Sequence, residues 1–130
     1  MSLTVSPSLL AQAEQGHVDE ADFLACIRES LPYAYDLVAR LAGELPAAAA
    51  DFTDNQLPPT GDTEQGQLLR AMASTAIRAA LERHFGVALA FQNCHRLAAF
   101  RPEATAGEQY RRFVSPQSQV LNQQPGFVNC

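Results

Sequence analysis

Lysine and tryptophan are absent from this 130-residue chain, and all nine of its basic residues are arginine. Without lysine there is no Schiff-base nucleophile and no phosphate loop ending in Gly-Lys. Paired dinucleotide-binding glycines, a nucleophile elbow and a calcium loop are missing as well. Cysteine is scarce: Cys26, Cys94 and Cys130 are odd in number and far apart. That spacing argues against a closed disulfide framework and leads us to expect a reduced, cytoplasmic protein. Long apolar runs are missing too. Stretches such as Ala47–Ala50 and Val87–Phe91 reach no more than five residues, against about 20 for a membrane helix. No membrane partner is expected. Nor does the stretch from Met1 to Leu10 carry the charge and apolar run of a secretory leader.

What is present suits a folded domain. Hydrophobic residues make up 47% and charged residues only 18%, which places the chain among globular rather than solvating sequences. We expect one domain over residues 1–130, with a polar extension from about residue 115. The net charge of −5 weighs against nucleic acid, whose binding rests on phosphate neutralisation, so no nucleic-acid partner is expected. One local feature runs the other way. Arg96, Arg101, Arg111 and Arg112 fall within 17 residues beside Tyr110 and Phe113. This reads either as a small anion-binding patch or, by the simpler account, as a solvated helix face partnered by Glu103 and Glu108.

Helix signals dominate the first two-thirds. Ser6-Pro7 and Asp19 are helix openings, and Gly16 is a stop. Leu31-Pro32 marks a break and restart, followed by Leu37, Val38 and Leu41 at helical spacing. Residues 47–61, with Pro58-Pro59, read as a long loop. The strongest helix runs from Thr63 to Phe85, opened by Asp62 with Gln65 and closed by Gly86. Its expected buried face is Leu69, Met72, Ala73, Ala76, Ile77, Ala80 and Leu81. The period then changes to two: Val87, Leu89 and Phe91 alternate, and Leu97–Phe100 forms a second short apolar run. The predicted fold is helix-rich α+β, with four to five helices around that long central helix and a small antiparallel hairpin. The competing architecture is an all-α bundle.

Three sets of residues are candidates for chemistry. His84, Cys94 and His95, joined by Cys130, are the only concentration of soft ligands and would be the zinc ligands if a metal is bound. Neighbours on a strand point to opposite faces, however, so Cys94 and His95 converge only in a turn. The same Cys94, His95 and His84 are the candidate catalytic set of a thiol enzyme, and their simpler roles are a buried thiol and a helix-end imidazole. Asp54, Asn55 and Gln56, from the long loop, together with Phe91 and Phe100, are the candidate ligand-binding residues. The phenylalanines are expected to line a small-molecule pocket between the central helix and the hairpin. No cofactor is predicted. The expected function is a non-catalytic binding, regulatory or protein-interaction module, acting as a homodimer or with a protein partner. The alternatives are a small Cys/His-dependent enzyme or metal-binding protein, and a small-molecule binder.

Overall fold

The structure is a computed structural model and describes residues 2–121. Three helices come first: α1 (Pro7–Glu14), α2 (Glu20–Ser30) and α3 (Pro32–Glu44). The Ser6 side chain accepts from the Leu9 N–H and that of Asp19 from the Asp22 N–H, so both openings are capped by the expected residues. Helix α3 has no side-chain cap of its own. Its first free N–H groups, of Tyr33 and Ala34, instead donate to Oε1 of buried Gln67 at 2.7 and 3.2 Å. A glutamine from a distant helix thereby supplies the partners that a helix start lacks.

Pro46 ends α3 in a single 3-10 turn, Leu45–Ala47. Residues 47–61, expected to be a loop, contain a strand, β1 (Phe52–Asp54). Two helices follow, α4 (Asp62–Ala73) and α5 (Thr75–Phe85), then β2 (Ala88–Gln92) and β3 (Arg96–Phe100). A 3-10 turn at Pro102–Ala106 leads into α6 (Glu108–Phe113) and α7 (Pro116–Leu121). The fold is helix-rich α+β, as the sequence predicts, with a sheet of three antiparallel strands in the order β1-β3-β2. The polar extension therefore starts as helix α7, and its continuation lies outside the described residues. Among the described residues no helix is long and apolar enough to cross a membrane.

The expected long helix over 63–85 is interrupted at Ser74. That residue is extended (φ −90°, ψ 113°), and its hydroxyl accepts from the Ile77 N–H at 3.2 Å. A serine that bonds its own downstream backbone competes with helix continuation, and here it wins. The break resets the helical phase. Leu68, Ala71 and Met72 are buried on α4 and Ile77, Ala80 and Leu81 on α5, while Leu69 stands about half exposed. Ala73 and Ala76, also expected inside, are exposed. At the start of α4 the N-cap is Gly61 rather than Asp62. Gln65 donates its Nε2 to the Pro59 carbonyl instead of closing a capping box.

The sheet divides two unequal cores. Leu89, Leu97 and Ala99 face the main one, packed with Leu24, Ile27, Leu37, Val38, Leu68 and Leu81 from the helices. On the other face Ala90, Ala98 and Phe100 meet Phe113 of α6, with Phe52 and Tyr110 alongside. Strand alternation separates these two sets, and the Phe52↔Phe100 pairing brings Phe52 of β1 to the smaller core.

Candidate functional site

Strand β1 lies at the edge of the sheet, paired with β3 through Phe52↔Phe100, Thr53↔Ala99 and Asp54↔Ala98. The Arg101 N–H donates to the Asp51 carbonyl at 3.1 Å and the Asn55 N–H to the Leu97 carbonyl at 3.2 Å. Hydrogen-bonded and non-hydrogen-bonded pairs alternate along an antiparallel ladder. The backbone groups of Phe52 and Asp54 are therefore aimed away from β3, towards the open edge.

Three adjoining hollows border β1, the first of them reaching across β3 and β2 to α6. One of about 370 Å³ has walls from Phe52, Gln92, Arg96, Gln109, Arg112 and Phe113. It shares Ala50, Phe52 and Arg96 with a second of about 490 Å³, which also touches Thr53 and Asp54. The second shares Glu44, Asp54 and Gln56 with a third of about 370 Å³ that ends at Arg40 and Leu57. Together they form a groove with an aromatic end, a central strand edge and a polar end.

Most charges in the groove are matched. Arg96 donates from Nε and Nη2 to Oδ2 of Asp54 at 2.7 and 2.6 Å, and its guanidinium sits 5.1 Å from the centre of the Phe113 ring. Arg40 pairs with Glu44 at 3.6 Å and Arg112 with Glu108 at 3.2 Å, both in solvent. Arg101 is occupied by the carbonyls of Leu45, Ala48 and Ala50, which it gathers around the turn before β1. Of the four clustered arginines, then, two are tied into the fold and one has the predicted Glu108 partner. Gln109 uses Oε1 to accept from the Asp51 N–H at 2.9 Å, which tethers α6 to the start of β1.

The predicted site residues separate. Asp54 and Gln56 line the groove, and Asn55 borders its polar end. Asn55, 2% exposed, points inward and staples the hairpin: its Nδ2 donates to the His95 carbonyl at 2.9 Å and its Oδ1 accepts from the Leu97 N–H at 2.8 Å. Phe91 and Phe100 lie on opposite faces of the sheet, one against the main core and the other inside the smaller one, so they do not line a common pocket. His84 stands exposed on the last turn of α5, edge-on to Phe85. Cys94 is completely buried in the hairpin turn. No three His, Cys, Asp or Glu side chains are grouped to hold a metal ion among the described residues. Cys130 lies outside them. Phe52 carries no signal in the sequence, because a three-residue strand is too short to show its period, and Gln109 none either; Arg96 and Arg112 stand out there only as members of the arginine cluster.

His95 closes a three-residue hairpin loop with φ +64°, the left-handed position usually given to glycine. Both ring nitrogens are buried without a hydrogen-bond partner among the described residues, and the ring stands edge-on to Phe91 at 6.1 Å. Burial pushes the imidazole pKa below its ordinary 6.5. The folded state thus holds this proton less tightly than the unfolded chain. Stability should be unaffected above pH 6.5 and fall as pH drops below it, levelling off at the folded-state pKa. Thermal melts between pH 7 and 5 check this. The decline should be smaller in His95→Asn, whose residue tolerates the left-handed backbone, and equal slopes in both proteins would refute the assignment.

The comparisons with known proteins add one finding. No curated protein and no solved structure matches the chain. A family model described as "NucS shadow ORF", and named with the prefix KH, matches residues 1–130. KH is also the name of a module that binds single-stranded nucleic acid, and the expectation that nucleic acid is excluded as a partner is corrected on this match. That expectation rested on the total charge, which is an average over the surface and does not describe one groove. Because the match spans the whole sequence, the chain belongs to the NucS shadow ORF family.

Proposed function

We propose that this chain is a non-catalytic binding module that takes an extended single strand of nucleic acid along the open edge of β1. The observation that carries the reading is the groove itself. A strand edge with no neighbouring strand among the described residues supplies backbone donors and acceptors at Phe52 and Asp54, beside aromatic rings and the guanidinium of Arg96. Splayed bases are recognised by such combinations of stacking and edge hydrogen bonds. The KH prefix of the family model supports the same class of partner. The chain departs from the KH pattern in one respect: its seven glycines include no Gly-x-x-Gly, the loop with which those modules clamp the backbone. With Arg96 neutralised by Asp54 and Arg40 by Glu44, little free positive charge remains for phosphates. Binding here depends on bases more than on the backbone.

That weighting sets the expected result. A fluorescently labelled single-stranded octanucleotide, titrated by anisotropy, should bind with a Kd of about 1–100 μM. The logarithmic salt slope should be shallow, about −0.7 to −1.4, as for one or two phosphate contacts. A duplex of the same sequence should bind more weakly. Absence of single-strand binding, or a preference for the duplex, overturns the reading. A second reading is favoured by the outward-facing backbone of Phe52 and Asp54: an extended peptide adding to β1 as a fourth strand. It predicts binding that ignores oligonucleotide competitors.

A further inference from the structure

Arg96 is held in an unusual way for a groove arginine. One carboxylate oxygen, Asp54 Oδ2, accepts from both Nε and Nη2, and Cζ of the guanidinium lies over the Phe113 ring, 5.1 Å from its centre. The group is therefore held along one edge by Asp54, with an aromatic ring beside it. Its charge is matched at 2.6 Å by a carboxylate whose side chain is only 10% exposed. A phosphate brought to the same spot meets Asp54 as well as Arg96. Yet the Arg96 side chain remains 28% exposed, and it contributes to the walls of both the aromatic and the central hollow. What Arg96 still offers the groove is a flat, polarizable surface rather than a free charge.

We propose that Arg96 is a stacking platform for one unstacked nucleobase, an inference that rests on the single-strand reading above. Guanidinium planes are among the surfaces on which splayed bases stack, and arginine suits this because its fork is planar and pre-organised, unlike a lysine ammonium. Gln109 borders the same hollow with its Nε2 unpartnered among the described residues, where it serves as a donor to an acceptor on the base. Arg111, exposed on α6, is placed at the rim for an adjoining phosphate. Asp54 acts as a positioning residue: it fixes the plane and cancels the charge.

The test separates a plane from a charge. Arg96→Lys keeps the charge and removes the plane, and should weaken octanucleotide binding roughly tenfold, as for the loss of one stacked base, with an unchanged salt slope. Asp54→Asn, which frees the charge but loosens the plane, should also weaken binding. An oligonucleotide series with one abasic residue at each position, titrated against the unaltered chain, should show one position that costs roughly tenfold. On that abasic oligonucleotide Arg96→Lys should bind like the unaltered chain. Circular dichroism melts establish that the variants are folded, and the abasic series needs no variant at all. Unchanged affinity in Arg96→Lys, tighter and more salt-dependent binding in Asp54→Asn, or uniform tolerance of abasic residues each overturn the platform while leaving the single-strand reading intact. Failure of the unaltered chain to bind any single strand removes both.

Discussion

Replacing Asn55 by alanine is expected to lower the unfolding free energy by about 3 kcal/mol, in a domain whose total is about 5–15. Asn55 is 2% exposed and joins β1 to the hairpin through three bonds, two of them from its side chain. Truncation leaves the N–H of Leu97, a residue with no exposure, without an acceptor. It also removes the donor from the His95 carbonyl, at a position where the backbone is already left-handed. An unmade hydrogen bond in the interior costs more than an existing one contributes, because the stranded group has lost water as well. Asn55→Asp should fall between the two proteins, since it retains an acceptor for Leu97 but sets a carboxylate against the His95 carbonyl. Urea denaturation followed by fluorescence and circular dichroism measures these values. A loss below about 1 kcal/mol for Asn55→Ala would mean that the staple contributes no more than an ordinary surface bond.

Phe100→Ala should be costlier still, about 3–5 kcal/mol. Phe100 is fully buried and is the centre of the smaller core. Its ring stacks on Phe52 at 4.8 Å and meets Tyr110 and Phe113 edge-on at 5.1 and 5.7 Å. Removal of that ring leaves a cavity beneath two walls of the aromatic hollow, Phe52 and Phe113. The consequence should be double: lower stability, and loss of single-strand binding even at temperatures where the variant is folded. Phe100→Leu keeps most of the volume and should retain more of both. If Phe100→Ala binds normally while folded, the aromatic end of the groove is not part of the site.

The helix openings at Ser6 and Asp19, the stop at Gly86 and the hairpin follow from local chemistry that acts within a few residues, and each is where the sequence places it. Ser74 was missed because a serine inside a helical pattern is tolerated as often as it caps, and only the tertiary phase of Leu68 against Ile77 decides between these. Strand β1 was missed because its stability comes from β3, almost 50 residues downstream, and not from its own three residues. The groove inherits that difficulty. Asp54 and Gln56 stood out as polar loop residues, whereas Phe52 and Arg96 become neighbours only through strand register. Asn55 looks the same as they do in sequence, and burial alone assigns it to the scaffold. The exclusion of nucleic acid is corrected by the family match and not by surface charge, since Arg96 is paired with Asp54 and Arg40 with Glu44.

The most direct test of the groove is amide and side-chain NMR of the labelled chain during titration with an unlabelled single-stranded octanucleotide. Shift changes should concentrate on Phe52, Asp54, Gln56, Arg96, Gln109 and Arg112, on or beside β1, β3 and α6 around the groove, with α1 and α2 unaffected. Saturable changes centred elsewhere, on the α4–α5 break for example, would contradict the groove as the binding site, as would a spectrum that does not move.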